Sequence, residues 1–176
     1  MNKLLIFIVF IALLSCRGVV VKDESSPLYS VTKGSSLRLN RPLTIPPHRA
    51  TVLLQYGNVV GLHEVNIYYA NCAFEIKTLS EKATIIQPDT FLITRVVDEM
   101  NSVSTEQKVL ASLGAIADDG SSDFNYTTTM YLESARQPDV LRLACMHWEN
   151  PADNNYLSIE QMRHALGDIF TLILAE

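Results

Sequence analysis

Residues 51–60 read TVLLQYGNVV, two short apolar runs on either side of Gly57 and Asn58. Valine and leucine at this density suit a strand that is half buried in a sheet. Glycine and asparagine adopt the positive φ angles of a tight turn more readily than other residues. The stretch therefore predicts a β-hairpin.

Similar short runs continue on both sides of this hairpin. Leu37 and Leu39 share one face of a run at 36–39, and Leu43 and Ile45 repeat the pattern. Further runs with strand character lie at 65–69, 72–76, 83–86, 90–97, 126–132 and 140–148. Short strands at this spacing, divided by turn residues, predict a mainly β fold, an antiparallel sandwich or a small barrel.

The clearest helix signal lies near the C-terminus. Ser158 and Gln161 form the S-x-x-Q pattern of a capping box. Apolar residues then recur at helical spacing, at Ile159, Met162, Leu166, Ile169, Phe170 and Ile173. The polar side is not rich in Lys and Arg, as a membrane-surface helix would be, so we expect a C-terminal α-helix that packs on the sheet.

The first 16 residues carry the strongest functional signal. Lys3 precedes an unbroken apolar run of 11 residues at 4–14, which has the length of a signal-peptide core and is too short to span a bilayer. The run ends in LLSC at 13–16, which resembles the lipobox of bacterial lipoproteins. That resemblance implies a signal peptide over 1–15, cleavage before Cys16 and a lipid on its thiol. An ordinary secretory signal with a chance cysteine is the alternative.

Lipidation at Cys16 would hold the chain on a membrane, facing the periplasm. Each buried methylene of an acyl chain contributes about 0.8 kcal/mol, so two or three chains anchor firmly. Arg17, and not an aspartate, follows the cysteine, and by resemblance to the sorting rule of enteric bacteria this favours the outer membrane. Residues 16–33 are expected to be the lipidated cysteine and a tether, although 18–21 could be a strand. A single domain is expected over 34–176.

Cys72 and Cys145 are the remaining cysteines, and both lie on apolar faces of predicted strands. Export places them in an oxidising compartment, where two cysteines are more often bridged than free. The sequence therefore favours a structural Cys72–Cys145 disulfide. Two buried free thiols are the alternative.

Charge and motifs disfavour several classes of function. The formal net charge is −5 and Lys and Arg are not clustered, so nucleic-acid binding is not expected. The four histidines, at 48, 63, 147 and 164, lack metal-ligand spacing, and no P-loop, dinucleotide fingerprint or G-x-S-x-G elbow occurs. We therefore predict no metal or other cofactor and assign no catalytic residue.

Two further regions carry expectations about function. Residues 100–125 break the rhythm of the strands and predict a flexible insertion, in which 105–113 could form a short helix or a hairpin arm. Tyr68, Tyr69, His147 and Trp148 are the candidates for a binding surface, because aromatic side chains often anchor interfaces. Half-buried strand residues are the alternative interpretation.

Several strings together resemble a family of uncharacterised predicted lipoproteins of gammaproteobacteria. They are GSSL at 34–37 with Leu39, RPLTIPP at 41–47, Leu54-Gln55 before Gly57, Cys72 with Phe74-Glu75, Cys145 with Trp148 and Pro151, and ALG at 165–167. The resemblance covers about residues 34–172 and implies one exported domain with paired cysteines. That family has no established activity, so the resemblance implies no function.

The sequence as a whole favours a non-enzymatic cell-envelope lipoprotein that binds a protein partner or stabilises an envelope assembly. One alternative is a periplasmic enzyme acting on envelope polymers, which requires a cleft with two carboxylates or with a carboxylate and His147. The other alternative is a small-ligand carrier, which requires an apolar cavity between the strands.

Overall fold

The computed structural model describes residues 22–102, 124–150, 152 and 155–175. The predicted signal peptide and Cys16 lie outside these residues. Within them the elements are β1 Ser36–Leu39, β2 Leu43–Ile45, β3 Thr51–Gln55, β4 Asn58–Val60, β5 Asn71–Ile76, β6 Thr84–Ile86, β7 Asp89–Ser102, β8 Phe124–Glu133, β9 Val140–Glu149, α1 Ile159–Leu166 and β10 Phe170–Ile173. In this described part, no helix has the length and apolar character that crossing a bilayer requires.

Eight strands form one curled sheet, in the order β10-β1-β7-β8-β9-β5-β3-β4. Strands β2 and β6 pair separately, and all of these pairings are antiparallel. The prediction of a mainly β fold with a helix near the C-terminus is therefore confirmed.

The inner face of the curled sheet carries the hydrophobic core. Cys72, Phe74 and Ile76 alternate along β5 and are all buried, as their spacing predicts. The ring of Phe74 lies 6.1 Å from that of Phe91 on β7 and 5.2 Å from that of Phe170 on β10. Rings from three strands thus fill the inner face, and burial of this apolar surface is the main driving force for folding.

The C-terminal helix is shorter than its apolar stripe predicts. It ends at Leu166, because Gly167 has a φ of 51° and its position allows close contact with Gly57. The chain then forms β10, in which Phe170 and Leu172 are buried with the period of a strand. The prediction of helix as far as Ile173 is therefore wrong.

The predicted strand at 65–69 is also wrong, because side chains bind its backbone in place of a neighbouring strand. The amide side chain of Gln55 accepts from the Asn66 amide at 2.9 Å and donates to the Asn66 carbonyl at 2.8 Å. Asn66 Oδ1 in turn accepts from the Tyr68 amide at 3.2 Å. Such local bonds favour turns over a regular ladder.

Strands β7 and β8 extend into the region expected as an insertion at 100–125. Ser102 pairs with Phe124, and Met100 with Tyr126. The region therefore begins and ends within strands. Residues 103–123, which include the predicted short helix or hairpin arm, lie outside the described residues.

The described part of the expected tether, residues 22–33, packs against the domain without forming a helix or strand. Val31 is buried. Glu24 forms an ion pair with Arg163 of α1, and the Glu24 carbonyl accepts from the Glu160 amide at 3.0 Å. The chain is therefore attached to the domain from Glu24 onward.

Candidate functional site

Three of the four residues expected to form a binding surface lie near one another. Tyr68 and Tyr69 are each 56% exposed. The ring of Tyr68 meets that of Trp148 edge to face at 6.2 Å, and the ring of Tyr69 lies 6.2 Å from that of Tyr56. We name Tyr56, Tyr68, Tyr69 and Trp148 the aromatic surface.

Tyr56 reaches this surface through the hairpin between β3 and β4. Gln55 pairs with Asn58, so the turn residues are Tyr56 and Gly57, one position earlier than predicted. Their φ angles are 52° and 73°. A positive φ is uncommon for tyrosine, and such conformations concentrate at functional sites. The turn is held against α1 because the Gly57 amide donates to the Ala165 carbonyl at 3.0 Å.

The loop that carries Tyr69 is fixed at its base by a buried amide side chain. Asn71 donates to the carbonyl oxygens of Tyr69 at 3.0 Å and of Met146 at 3.1 Å. The Trp148 amide donates to the Ile67 carbonyl at 2.8 Å. These bonds tie the loop to β9, so the aromatic rings stand on a rigid support, as a preorganised recognition surface requires.

The two cysteines meet directly below this loop. Cys72 and Cys145 are opposite each other across β5 and β9, with a Cα–Cα distance of 4.0 Å and their sulfurs at disulfide distance. Both are fully buried. The structure thus brings the predicted pair together, and the bridge links the strand that follows the loop to the strand that carries Trp148.

His147 lies away from the aromatic surface, although Trp148 is its neighbour in the chain. Successive side chains of a strand point to opposite faces, and His147 is on the inner face, 7% exposed. Its Nε2 lies 2.8 Å from the Asn155 carbonyl oxygen and 3.5 Å from Glu149 Oε2. Since a carbonyl oxygen only accepts, Nε2 carries the proton of that bond.

His147 and Glu149 line a cleft of about 330 Å³ between the end of β9 and the start of α1. We name it the polar cleft. Its lining includes His147, Glu149, Asn155, Tyr156, Ser158 and Glu160. This arrangement places a histidine and a carboxylate in one concave site.

Aromatic rings connect the polar cleft to the inner face of β8. The ring of Tyr126 lies 6.1 Å from that of His147 and 5.5 Å from that of Tyr156. Burial, followed by the nearby charge of Asp98, raises the pKa of Tyr156. Its hydroxyl is therefore protonated at neutral pH and able to donate a hydrogen bond.

Sequence reasoning missed Tyr56 and the polar cleft, for different reasons. The contact between Tyr56 and Tyr69 depends on how a loop folds back, which no local pattern reports. β9 extends one residue beyond the predicted strand at 140–148 and so includes Glu149; the spacing of two residues between His147 and Glu149 was the signal in the sequence for a common face. In the described ranges, no group of three His, Cys, Asp or Glu side chains is placed to hold a metal ion.

A scan against protein-family models, a search of curated proteins and a search of solved structures each find no match. The resemblance to uncharacterised lipoproteins therefore stays a prediction from the sequence.

Proposed function

We propose that this protein is a lipid-anchored binding module of the bacterial cell envelope, and that the aromatic surface contacts a protein partner. The observation that carries the proposal is the display of four aromatic side chains on a backbone fixed by buried hydrogen bonds. Tyrosine and tryptophan dominate the energetics of many interfaces because they bury large areas at little entropic cost. Tyr56, Tyr68 and Tyr69 are exposed and Trp148 is half-buried, and the exposure of the three tyrosines supports a role in recognition.

The leader and Cys16 support the anchoring part of the proposal. Eight residue steps separate Cys16 from Glu24, where the chain is attached to α1. At about 3.6 Å per residue, this stretch reaches at most roughly 30 Å. An anchored domain would therefore stay close to its membrane, which favours a partner in or near the same membrane.

Crosslinking in living cells, followed by purification of the tagged protein, tests this proposal. Wild type is compared with Cys16→Ser, which should be exported but not anchored. A stoichiometric partner found with the lipidated form alone would support an anchored assembly factor. Absence of a partner with both forms would contradict the proposal.

A second candidate function, an enzyme acting on envelope polymers, is favoured by the pairing of His147 with Glu149 in a cleft. General acid–base catalysis needs a titratable side chain oriented by a neighbour. Purified cell-wall material incubated with wild type and with His147→Ala provides the test. Soluble fragments released by wild type alone would support the enzyme, whereas no release by wild type would exclude it for this material.

The carrier alternative receives no such support. A carrier of this kind keeps an apolar cavity between its strands. Here the rings of Phe74, Phe91 and Phe170 pack together at the centre of the inner face.

A further inference from the structure

The backbone of the loop between β4 and β5 is already bonded within the domain. The Asn66 carbonyl accepts from the Gln55 side chain at 2.8 Å and from the Tyr69 amide at 3.2 Å. The Ile67 carbonyl accepts from the Trp148 amide at 2.8 Å. A partner that adds a strand to a sheet needs an edge of unpaired backbone groups, which these groups do not supply. A contact made at this loop is therefore carried by the side chains of the aromatic surface.

The segment that supplies the three tyrosines carries little charge. Residues 50–76 contain no Lys or Arg. Of their acids, Glu64 accepts from a backbone amide at 2.7 Å, and Glu75 accepts from the Arg142 guanidinium at 2.8 Å. The residue opposite Trp148 on β8 is an asparagine. Phosphorylated and acidic motifs are bound by clusters of Arg, so the aromatic surface suits an uncharged segment.

The two ring pairs of the aromatic surface are joined through Tyr68 and Tyr69, which are consecutive in the chain. The ring planes are tilted by 53° in the Tyr56–Tyr69 pair and by 75° in the Tyr68–Trp148 pair. Neither pair therefore hides two ring faces in a stack. Tyrosine hydroxyls and the indole N–H are also hydrogen-bond donors. The surface thus combines flat apolar contact with uncharged donors.

We propose that the partner presents a proline-rich segment in the polyproline II conformation, and that the aromatic surface binds this segment. The inference rests on the proposed function, because it names the chemistry of the partner at the same surface. Proline is uncharged, and the carbonyl groups of a polyproline II segment form no internal hydrogen bonds, so they can accept from the aromatic side chains. Surfaces lined by aromatic residues bind such segments at low entropic cost, because the conformation is preformed.

Tryptophan fluorescence provides a direct test, because Trp148 is the only tryptophan of the chain and belongs to the aromatic surface. Full-length lipidated protein in detergent micelles is titrated at neutral pH with acetylated, amidated decaproline. A second titration uses a neutral Gly-Ser peptide of the same length. We expect a saturable change in fluorescence with decaproline and none with the Gly-Ser peptide, which behaves as a flexible coil.

Three variants that keep Trp148 assign the binding to the aromatic surface. Tyr69→Ala should weaken decaproline binding about tenfold or more, because loss of an aromatic anchor removes much of the binding energy of an interface. Tyr69→Phe keeps the ring and should bind more tightly than Tyr69→Ala. Leu79→Ala, at an exposed residue outside the aromatic surface, is the matched control and should bind as wild type does.

The proposal is overturned if wild type shows no saturable change with decaproline, if the Gly-Ser peptide binds equally well, or if folded Tyr69→Ala binds as tightly as wild type. A saturable change with chitotetraose, a neutral oligosaccharide, and none with decaproline would also overturn it. In-cell crosslinking tests the proposed function separately. A partner recovered there, without binding of decaproline, would contradict the proline-rich segment and leave the proposed function standing.

Discussion

At the scale of single residues, two glycines allow the β3–β4 hairpin to meet the helix. A Cβ on Gly167 would lie 2.3 Å from Gly57 Cα, closer than real Cβ atoms approach. Both glycines have positive φ angles, which other residues adopt only with strain. This contact places Tyr56 against the ring of His164, 5.4 Å away. The geometry of the aromatic surface thus depends on residues that are not aromatic.

Gly167→Ala should destabilise the domain by at least about 2 kcal/mol, because a Cβ there meets backbone that cannot move aside. Thermal unfolding should show a Tm lower by roughly 4–8 °C. Gly61→Ala is the matched control. Its Cβ would first meet Glu64 Oε2, the end of a flexible side chain, at 3.1 Å. The loss of stability in this variant should therefore stay below about 1 kcal/mol. Equal losses for the two variants would refute the role of the glycine contact.

Asp89, at the start of β7, has a carboxyl group whose pKa lies well below its usual value. Burial acts to raise the pKa of its carboxyl, but hydrogen bonds from Arg136, Ser134, the Thr90 amide and Gln137 outweigh burial and lower the pKa to about 2. The carboxyl thereby links the turn before β7 to the turn between β8 and β9.

The lowered pKa of Asp89 predicts a contribution to stability that depends on pH. The unfolded carboxyl has a pKa of about 3.9, so the contribution, at most about 2 kcal/mol, is complete above that pH and is lost as pH falls towards 2. Urea unfolding of wild type and Asp89→Asn at pH 3 to 7 checks this. The free energy of unfolding of wild type should rise above that of Asp89→Asn as pH rises through 4. Parallel curves would contradict the assignment.

At the scale of elements, what could be predicted depends on how local the signal is. The start of α1 follows from its capping box, since Ser158 Oγ accepts from the Gln161 amide at 3.2 Å and Gln161 Oε1 accepts from the Ser158 amide at 2.8 Å. The end of α1 could not be predicted. The apolar residues that follow Leu166 fit both a helix and a strand, and the helix ends at a contact with Gly57, which is distant in the sequence. Most of the short strands were predictable because their period of two needs no distant partner; the exceptions are 65–69, which forms turns, and β10, whose residues also fit a helical stripe.

The Cys72–Cys145 bridge predicts a difference between oxidised and reduced protein. It closes a loop with a sequence separation of 73, which corresponds to about 4 kcal/mol in the chain-entropy model. Urea unfolding with and without dithiothreitol should show that reduction lowers the free energy of unfolding by about 2–4 kcal/mol. Identical midpoints, with thiol titration verifying reduction, would show that the bridge does not stabilise the fold.

At the scale of the whole molecule, the candidate site shows where sequence reasoning reaches its limit. Tyr68 and Trp148 were identified from residue type, but their contact arises because the loop is bound to β9. His147 was grouped with them from its position in the chain, yet strand alternation places it in the polar cleft. Residue types therefore suggest candidates for a binding surface, while the separation of His147 from Tyr68, Tyr69 and Trp148 follows only from the topology.

The proposed lipid anchor at Cys16 predicts the behaviour of the protein in cell fractionation. Wild type should sediment with membranes, because two or three acyl chains bind firmly. Cys16→Ser should lose the lipid and appear in a soluble periplasmic fraction, whereas Cys72→Ser, with Cys16 intact, should still sediment. Membrane association that survives Cys16→Ser would contradict lipid anchoring at this residue.

The most direct test of the central claim is in-cell crosslinking of wild type against a variant of the aromatic surface. Tyr56→Asn with Tyr69→Ala removes two rings, and asparagine tolerates the positive φ at 56. Leu79→Ala with Ile85→Ala, at residues 64% and 56% exposed outside the aromatic surface, is the matched control. We predict that wild type and control recover the same partner, and that the aromatic variant, folded and lipidated, loses it. Recovery of that partner by all three proteins would contradict the claim.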